Sequence, residues 1–299
     1  MTKPVLVRTR EELAAARRAL DGPVVLVPTM GALHDGHRAL LQRARELSAP
    51  GGSAVASVFV NPLQFGPGED LDRYPRTLDD DLAVCAEEGT ALVFVPGQAE
   101  MYRSKPLVTV NPGPMGDILE GHFRPGFFGG VLTVVIKLFS LLRPDAAVFG
   151  QKDAQQLALV RRMTADLDLG IEIHAVPIVR DDGGLAISSR NRYLTAAERI
   201  SALALSRALF AGQAEAPGGP AKVAAAARAV LDDAAAADPP VRLDYLALAD
   251  AETFAPVPDD FRGPAVLAVA ARVGGTRLID NVPLVVGPDG PAGAGTHSV

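Results

Sequence analysis

The chain has 299 residues, 48% hydrophobic and 21% charged, enough to bury a sizeable core in one large domain or two ordinary ones. This excludes a disulfide-stapled miniprotein and a disordered chain, and a formal charge of −6 argues against broad nucleic-acid binding while leaving room for a small anion held by local cations. The one cysteine, Cys85, rules out an internal disulfide, and with no signal-sequence pattern and no membrane-length apolar run the expected setting is cytoplasmic, with no membrane partner.

Up to about Val179, short β-branched runs alternate with helical patterns. Val24-Val25-Leu26-Val27 predicts a strand, followed by a helix over about Asp35 to Ser48 with Leu40, Leu41, Ala44 and Leu47 on one face. Ala54 to Val60 predicts a second strand. Thr77 to Glu88 predicts a helix with Thr77 as N-cap and Asp79, Asp80 and Asp81 at its positive end. Ala91 to Val95 is a further strand, Gly129 to Leu142 a buried amphipathic helix, and Ala146 to Phe149 and Ile171 to Val179 are strands flanking a helix from about Asp153 to Leu167. Near-continuous apolar strands alternating with helices imply a Rossmann-like parallel sheet covered on both faces, with ligands at the strands' carboxyl ends.

Beyond Val179 the pattern changes. Asp181-Asp182-Gly183-Gly184 reads as a turn, and Thr195 to Glu198 as a capping box opening a helix to about Ala211. A Gly/Pro-rich break at Ala216 to Pro220 precedes a helix over Ala221 to Ala237. Strands follow at Arg242–Leu248, Ala265–Val273 and Thr276–Ile279, with Gly274-Gly275 as a hairpin turn. The expected class is therefore α/β, a Rossmann-like domain over 1–179 with a smaller α+β domain over 180–286, and a Gly/Pro/Ala-rich tail over 287–299 expected to be disordered.

Four segments carry residues suited to chemistry. Pro28 to His37 runs off the first strand into a helix; Gly31 lets backbone approach a ligand, the helix start offers N–H groups to phosphate, and His34 and His37 add two donors one turn apart. Taken alone, the pair reads equally as a capped helix with two surface histidines, and no third ligand supports zinc. Phe149 to Gln156 places a glycine, an ammonium, a carboxylate and amides at another strand end, or is an ordinary polar loop. Ile187 to Arg192 offers hydroxyls and a forked guanidinium to phosphate oxygens, or is a solvated turn. Phe59 to Gly66 sets two amides, Asn61 and Gln64, at the second strand's end, where Asn-Pro by itself also favours a turn.

In this order the four segments resemble the pantothenate synthetase (pantoate–β-alanine ligase) family of the H-x-G-H nucleotidyltransferase group. The likeness runs from about Val24 to Asn281 and includes Tyr74-Pro75-Arg76-Thr77, Ser188 to Leu194 and Leu278-Ile279-Asp280-Asn281. It implies that ATP and pantoate form pantoyl adenylate and pyrophosphate, and that β-alanine then gives pantothenate and AMP. On this chain the resemblance assigns Met30, Gly31, Ala32, Leu33, His34, Asp35, Gly36 and His37 to ATP, with His37 as proton donor and His34 beside it. It assigns Gly150 and Asp153 to the ribose, Lys152 to phosphate with Gln151 alongside, Val179 to the adenine, and Ile187, Ser188, Ser189 and Arg190 to closure over the phosphates. Gln64 and Gln156 would hold pantoate, Gln64 would also meet β-alanine, and Asp80 would help hold magnesium. The family also implies a homodimer and a lid role for the smaller domain.

The chain departs from the family's usual pattern at Gln151 (commonly glutamate), Ala154 (commonly aromatic) and Phe127 (commonly histidine). Two other readings therefore stand beside the ligase: an adenylating ligase for another small acid, and a catalytically weakened homologue that binds ATP and pantoate.

Overall fold

The computed structural model describes residues 3–69 and 71–288, so residues 289–299 of the tail lie outside the described residues. Contacts divide the chain into two units, one of residues up to 151 with 159–179, the other of 152–158 with those from 180 onward.

In chain order the first part comprises β1 (Val5–Val7), α1 (Arg10–Arg18), β2 (Val24–Thr29), α2 (Asp35–Ser48), β3 (Ser53–Val58), α3 (Leu78–Glu87), β4 (Leu92–Phe94), α4 (Gln98–Met101), α5 (Glu120–Phe123), α6 (Phe127–Leu142), β5 (Ala146–Gly150), α7 (Ala154–Asp166) and β6 (Glu172–Val176). The six strands form one sheet in the order β1-β4-β3-β2-β5-β6, parallel throughout. Side chains alternate along β2, so Val25 and Val27 pack with Leu41, Ala44 and Cys85 of α2 and α3. The intervening Val24 and Leu26 are also fully buried, and α6 packs against β2. Helices on both faces explain why these strands are apolar at every position.

Four elements went unread in the sequence: β1, α1 and the short helices α4 and α5. β1 is three residues long, and α1 buries only Leu13, although Thr9 and Glu12 form a capping box at its start. β6 stops at Val176, short of the expected Val179, because Pro177 follows it. Thr77 sits at the N-cap of α3, yet it makes no capping bond there; its hydroxyl donates instead to Asp81 Oδ1 at 3.3 Å.

The second part contains α8 (Ala196–Ala214), α9 (Pro220–Ala235), β7 (Val241–Asp250), β8 (Gly263–Val273) and β9 (Thr276–Val286). Thr195 and Glu198 close the expected capping box. The strands form an antiparallel sheet in the order β7-β8-β9, with Val273 opposite Thr276 across Gly274-Gly275. β9 runs seven residues past the expected Ile279 because it is an edge strand, where Pro283 costs no ladder bond. Its core is rich in alanine: Ala202, Ala204 and Ala208 of α8, Ala227 of α9 and Ala265 and Ala271 of β8 all lie in one buried cluster with Leu205, Leu209 and Leu267. Among the described residues no helix is long and apolar enough to cross a membrane.

Candidate active site

The parallel sheet reverses its winding at β2. From there the chain moves outward through β3 and β4 on one side and through β5 and β6 on the other. The carboxyl ends of β2 and β5 flank this switch point, where open α/β sheets bind ligands. The two strands pair at Val25–Ala146 and Leu26–Ala147 and run on to Thr29 and Gly150. The segments Met30 to His37 and Gly150 to Gln156 leave the sheet from these two ends.

The turn from β2 into α2 is held from the side by one carboxylate. Gly31 has φ +81° and Ala32 has φ +52°, the left-handed region, which costs a residue with a Cβ about 1–2 kcal/mol. Asp81, only 2% exposed, accepts the Ala32 N–H at 3.1 Å and the Leu33 N–H at 2.8 Å. A Cβ on Gly31 would stand 2.8 Å from Asp81 Oδ2, so only glycine lets the turn come this close. His34 occupies the N-cap of α2, with Asp35 and Gly36 opening the first turn. The His34 N–H donates to His37 Nδ1 at 3.3 Å, and the two rings lie 4.1 Å apart between centroids. With Nδ1 accepting, the neutral His37 ring carries its proton on Nε2.

Beside this turn sits a chain of amides. The Gln64 Nε2 group donates to Met30 Sδ at 3.0 Å, and Gln64 Oε1 accepts from Asn61 Nδ2 at 3.1 Å. The Asn61 side chain also donates to Gly130 O at 3.1 Å and accepts from the Tyr102 hydroxyl at 2.8 Å. Burial pushes the Tyr102 phenol well above the usual tyrosine range, so it stays protonated and able to donate. Arg124 grips Glu69 with two bonds of 2.8 and 2.7 Å and donates to the Gln64 carbonyl at 3.2 Å. Its guanidinium lies 3.7 Å from the centre of the Phe127 ring, so the departure at 127 is taken up as a cation–π contact.

Lys152 and Gln156 fall in the second unit. Asn281 Nδ2 donates to the Lys152 carbonyl at 2.9 Å. The adjoining Asp280 is buried and takes a two-pronged bond from Arg180, at 2.6 and 2.9 Å. Gln151, Lys152 and Asp153 form a short 3-10 turn before α7, with Asp153 exposed and the other two half-buried. Ile187 to Arg190 are half-buried, and Ser188 caps the turn over Ser189–Tyr193 by accepting the Arg190 N–H at 3.3 Å. Val179, also half-buried, lies three residues beyond β6.

The structure thus brings Met30 and Gln64 into contact, stacks His34 against His37, and anchors Lys152 through its backbone. Asp80 is exposed on α3, and the buried member of that acidic run is Asp81. Asp81, Tyr102, Arg124 and Asn281 were not picked out as site residues. For Asp81 a signal existed: it lies four residues before Cys85, an apolar position of the predicted helix, and so on the same helix face.

The family model described as Pantoate-beta-alanine ligase matches residues 5–283. The chain is 64% identical over 289 residues to the pantothenate synthetase of Thermobifida fusca, covering 95% of this chain and 96% of that protein. Its fold is similar to the crystal structure of pantothenate synthetase from Thermus thermophilus, with TM-score 0.85 and 46% identity over 93% of this chain and 98% of the other. It is also similar to pantoate–β-alanine ligase from Francisella tularensis complexed with beta-gamma ATP and beta-alanine, at TM-score 0.74 and 28% identity over 93% and 97% of the two chains. Matched by that family model over residues 5–283 and by these relatives over nearly its whole length, the chain belongs to the pantoate–β-alanine ligase family.

Proposed function

We propose that this chain joins pantoate to β-alanine at the expense of ATP, forming AMP, through a pantoyl-adenylate intermediate. The pantoate carboxylate attacks the α-phosphorus and pyrophosphate leaves. The β-alanine amine then attacks the acyl carbon, loses a proton, and AMP departs. Neither step needs a nucleophilic side chain, so catalysis rests on positioning and on neutralising developing charge. The observation that carries this reading is the turn from β2 into α2, which sets two histidines at a helix N-terminus and whose first residue, Met30, meets the Gln64 amide.

In this reading the backbone from Met30 to Leu33, with Asp35 and Gly36, takes the nucleotide phosphates at the positive end of α2. His37 donates from Nε2 to phosphate oxygen, with His34 beside it. Gly150 and Asp153 meet the ribose, Gln151 the nucleotide, Val179 the adenine, and Lys152 and Arg190 the transferring phosphate with Ile187, Ser188 and Ser189. Gln64 and Gln156 hold pantoate, and Gln64 also meets β-alanine.

Magnesium carried on the triphosphate would take Asp80 as its protein ligand and supply charge neutralisation. Asp80 is exposed on α3 and so open to a cation carried on phosphate oxygens. For a homodimer the chain has an exposed apolar pair to offer, Leu107 at 97% and Val108 at 87%. Its use of ATP suits the cytoplasm.

Pyrophosphate exchange tests the reading. Pantoate alone should support exchange into ATP, and AMP should accumulate only when β-alanine is added. Exchange supported by a different small acid, but not by pantoate, would favour an adenylating ligase of other specificity. ATP binding without exchange would favour a weakened homologue.

A further inference from the structure

Primary amides are ambiguous recognition groups, because one end donates and the other accepts. At Gln64 the surrounding backbone settles which end faces out. Asn61, 1% exposed, follows β3 and caps the short turn Pro62–Gln64. Its Oδ1 accepts the Leu63 N–H at 3.3 Å, and its Nδ2 donates to the Gly130 carbonyl at 3.1 Å. Backbone N–H groups only donate and carbonyls only accept, so the Asn61 amide has one permitted orientation. Gly130 brings the backbone of α6 within reach, since a Cβ there would stand 2.1 Å from Leu63 O. The remaining Asn61 N–H meets Gln64 Oε1, which turns the Gln64 NH2 group toward Met30.

The Asn61 oxygen has a second donor. Tyr102, the residue after α4, reaches it with its hydroxyl at 2.8 Å, a shorter contact than the one from Leu63. The ring is held against Phe59 at 6.0 Å between centroids, and the Lys137 ammonium lies 5.4 Å from its centre. Tyr102 therefore touches neither Gln64 nor the β2–α2 turn directly in this chain of bonds; it acts through Asn61.

We infer that Tyr102 is a positioning residue for the acid substrate: its hydroxyl reinforces the orientation that Leu63 and Gly130 give Asn61, and so steadies the Gln64 amide with its NH2 end, a donor, presented to an oxygen of the acid. This rests on the reading of Gln64 as an acid-binding residue. A donor at that place donates to a carboxylate or hydroxyl oxygen and disfavours an ammonium.

Steady-state kinetics of Tyr102→Phe test this. Losing one buried hydrogen bond should raise the pantoate KM about tenfold, while the ATP KM stays within about twofold. Gln64→Ala should raise the pantoate KM as well, and adding Tyr102→Phe to it should change little further, because the two act on one bond chain. Gln64→Glu, which replaces the donor by an acceptor of the same shape, should impair pantoate more than Gln64→Ala does. If Gln64→Ala raises the pantoate KM but Tyr102→Phe does not, the role of Tyr102 is refuted and the acid-binding reading stands. If Gln64→Ala leaves it unchanged, that reading falls and the inference with it. Equal rises in both KM values for Tyr102→Phe would mark a general structural role and refute the inference. Should Tyr102→Phe fail to fold, the Gln64→Glu comparison still decides, because full retention of pantoate use by that variant would refute a donor facing the acid.

Discussion

Removing the Asp81 carboxylate should loosen the turn from β2 into α2, proposed to hold the nucleotide, before it damages the sheet. Asp81 makes two bonds to backbone N–H groups, 3.1 Å to the buried Ala32 and 2.8 Å to the half-buried Leu33. A buried donor left without a partner costs about 1–3 kcal/mol, so two put Asp81→Ala at about 3–4 kcal/mol. Part of this is offset when Ala32 relaxes from φ +52°, releasing about 1 kcal/mol of left-handed strain. A net loss of about 2–3 kcal/mol is expected. That relaxation moves the turn proposed to hold phosphate, so ATP affinity should fall by about tenfold or more. Asp81→Asn keeps one acceptor and should lose about half as much stability. Adding Ala32→Gly to it should recover part of the ATP affinity, because glycine reaches that φ without a steric cost. Urea unfolding gives the stability change and calorimetry gives ATP affinity. An Asp81→Ala protein within about 0.5 kcal/mol of the parent, with ATP affinity unchanged, would refute the claim that this carboxylate holds the turn.

If Lys152 stabilises the transferring phosphate, Lys152→Ala should lower turnover at least about 100-fold, near 2.7 kcal/mol; near-normal turnover in a folded variant would remove it from the mechanism. Gln156→Ala should weaken pantoate use while ATP binding, measured by calorimetry, stays within about threefold; equal loss for both ligands would mean a collapsed site. Burial pushes the Cys85 thiol from its ordinary 9.0 to about 11. An acid raised on folding adds stability below its unfolded pKa, and that share is lost as pH climbs from 9.0 to about 11. Cys85→Ala should therefore flatten stability across this window by up to about 3 kcal/mol, read from urea midpoints at each pH. Phe127→His breaks a cation–π contact outside the reacting set and should change turnover by about tenfold or less; recovery of a dead parent enzyme by it together with Gln151→Glu would favour the weakened-homologue reading.

The parts of the fold written in periodicity were legible. The helix Asp35–Ser48 is legible from the sequence, because its apolar face is continuous and a turn carrying Gly31 precedes it. The Thr195–Glu198 box and the Gly274-Gly275 turn likewise act locally. The Thr9–Glu12 box has the same form yet passed unread, since a helix burying only Leu13 shows little apolar period. Long-range dependence hid the rest. Pro283 reads as a strand stop until β9 is known to be an edge. Residue type does not distinguish Asp81 from Asp79 and Asp80, and only its helix spacing to Cys85 marks it as the buried one. Tyr102 lies 41 positions from Asn61, so their bond has no local signature at all.

The alanine-rich core of the second unit bears on the cost of ordering it. Alanine has no rotamers, so burying Ala202, Ala204, Ala208, Ala227, Ala265 and Ala271 forfeits backbone freedom alone. Each also gains less from leaving water than a leucine would. A core of this kind settles with a small entropy loss and a small hydrophobic return, leaving the long hairpin ladder a larger part in cooperativity. It also has few side chains able to swing aside. At Gly212 of α8 an added Cβ would stand 2.6 Å from Leu267 and 2.9 Å from the Val223 carbonyl. Enlarging such a position must shift α8 against α9 and the sheet as whole bodies, so volume changes here are transmitted rather than absorbed.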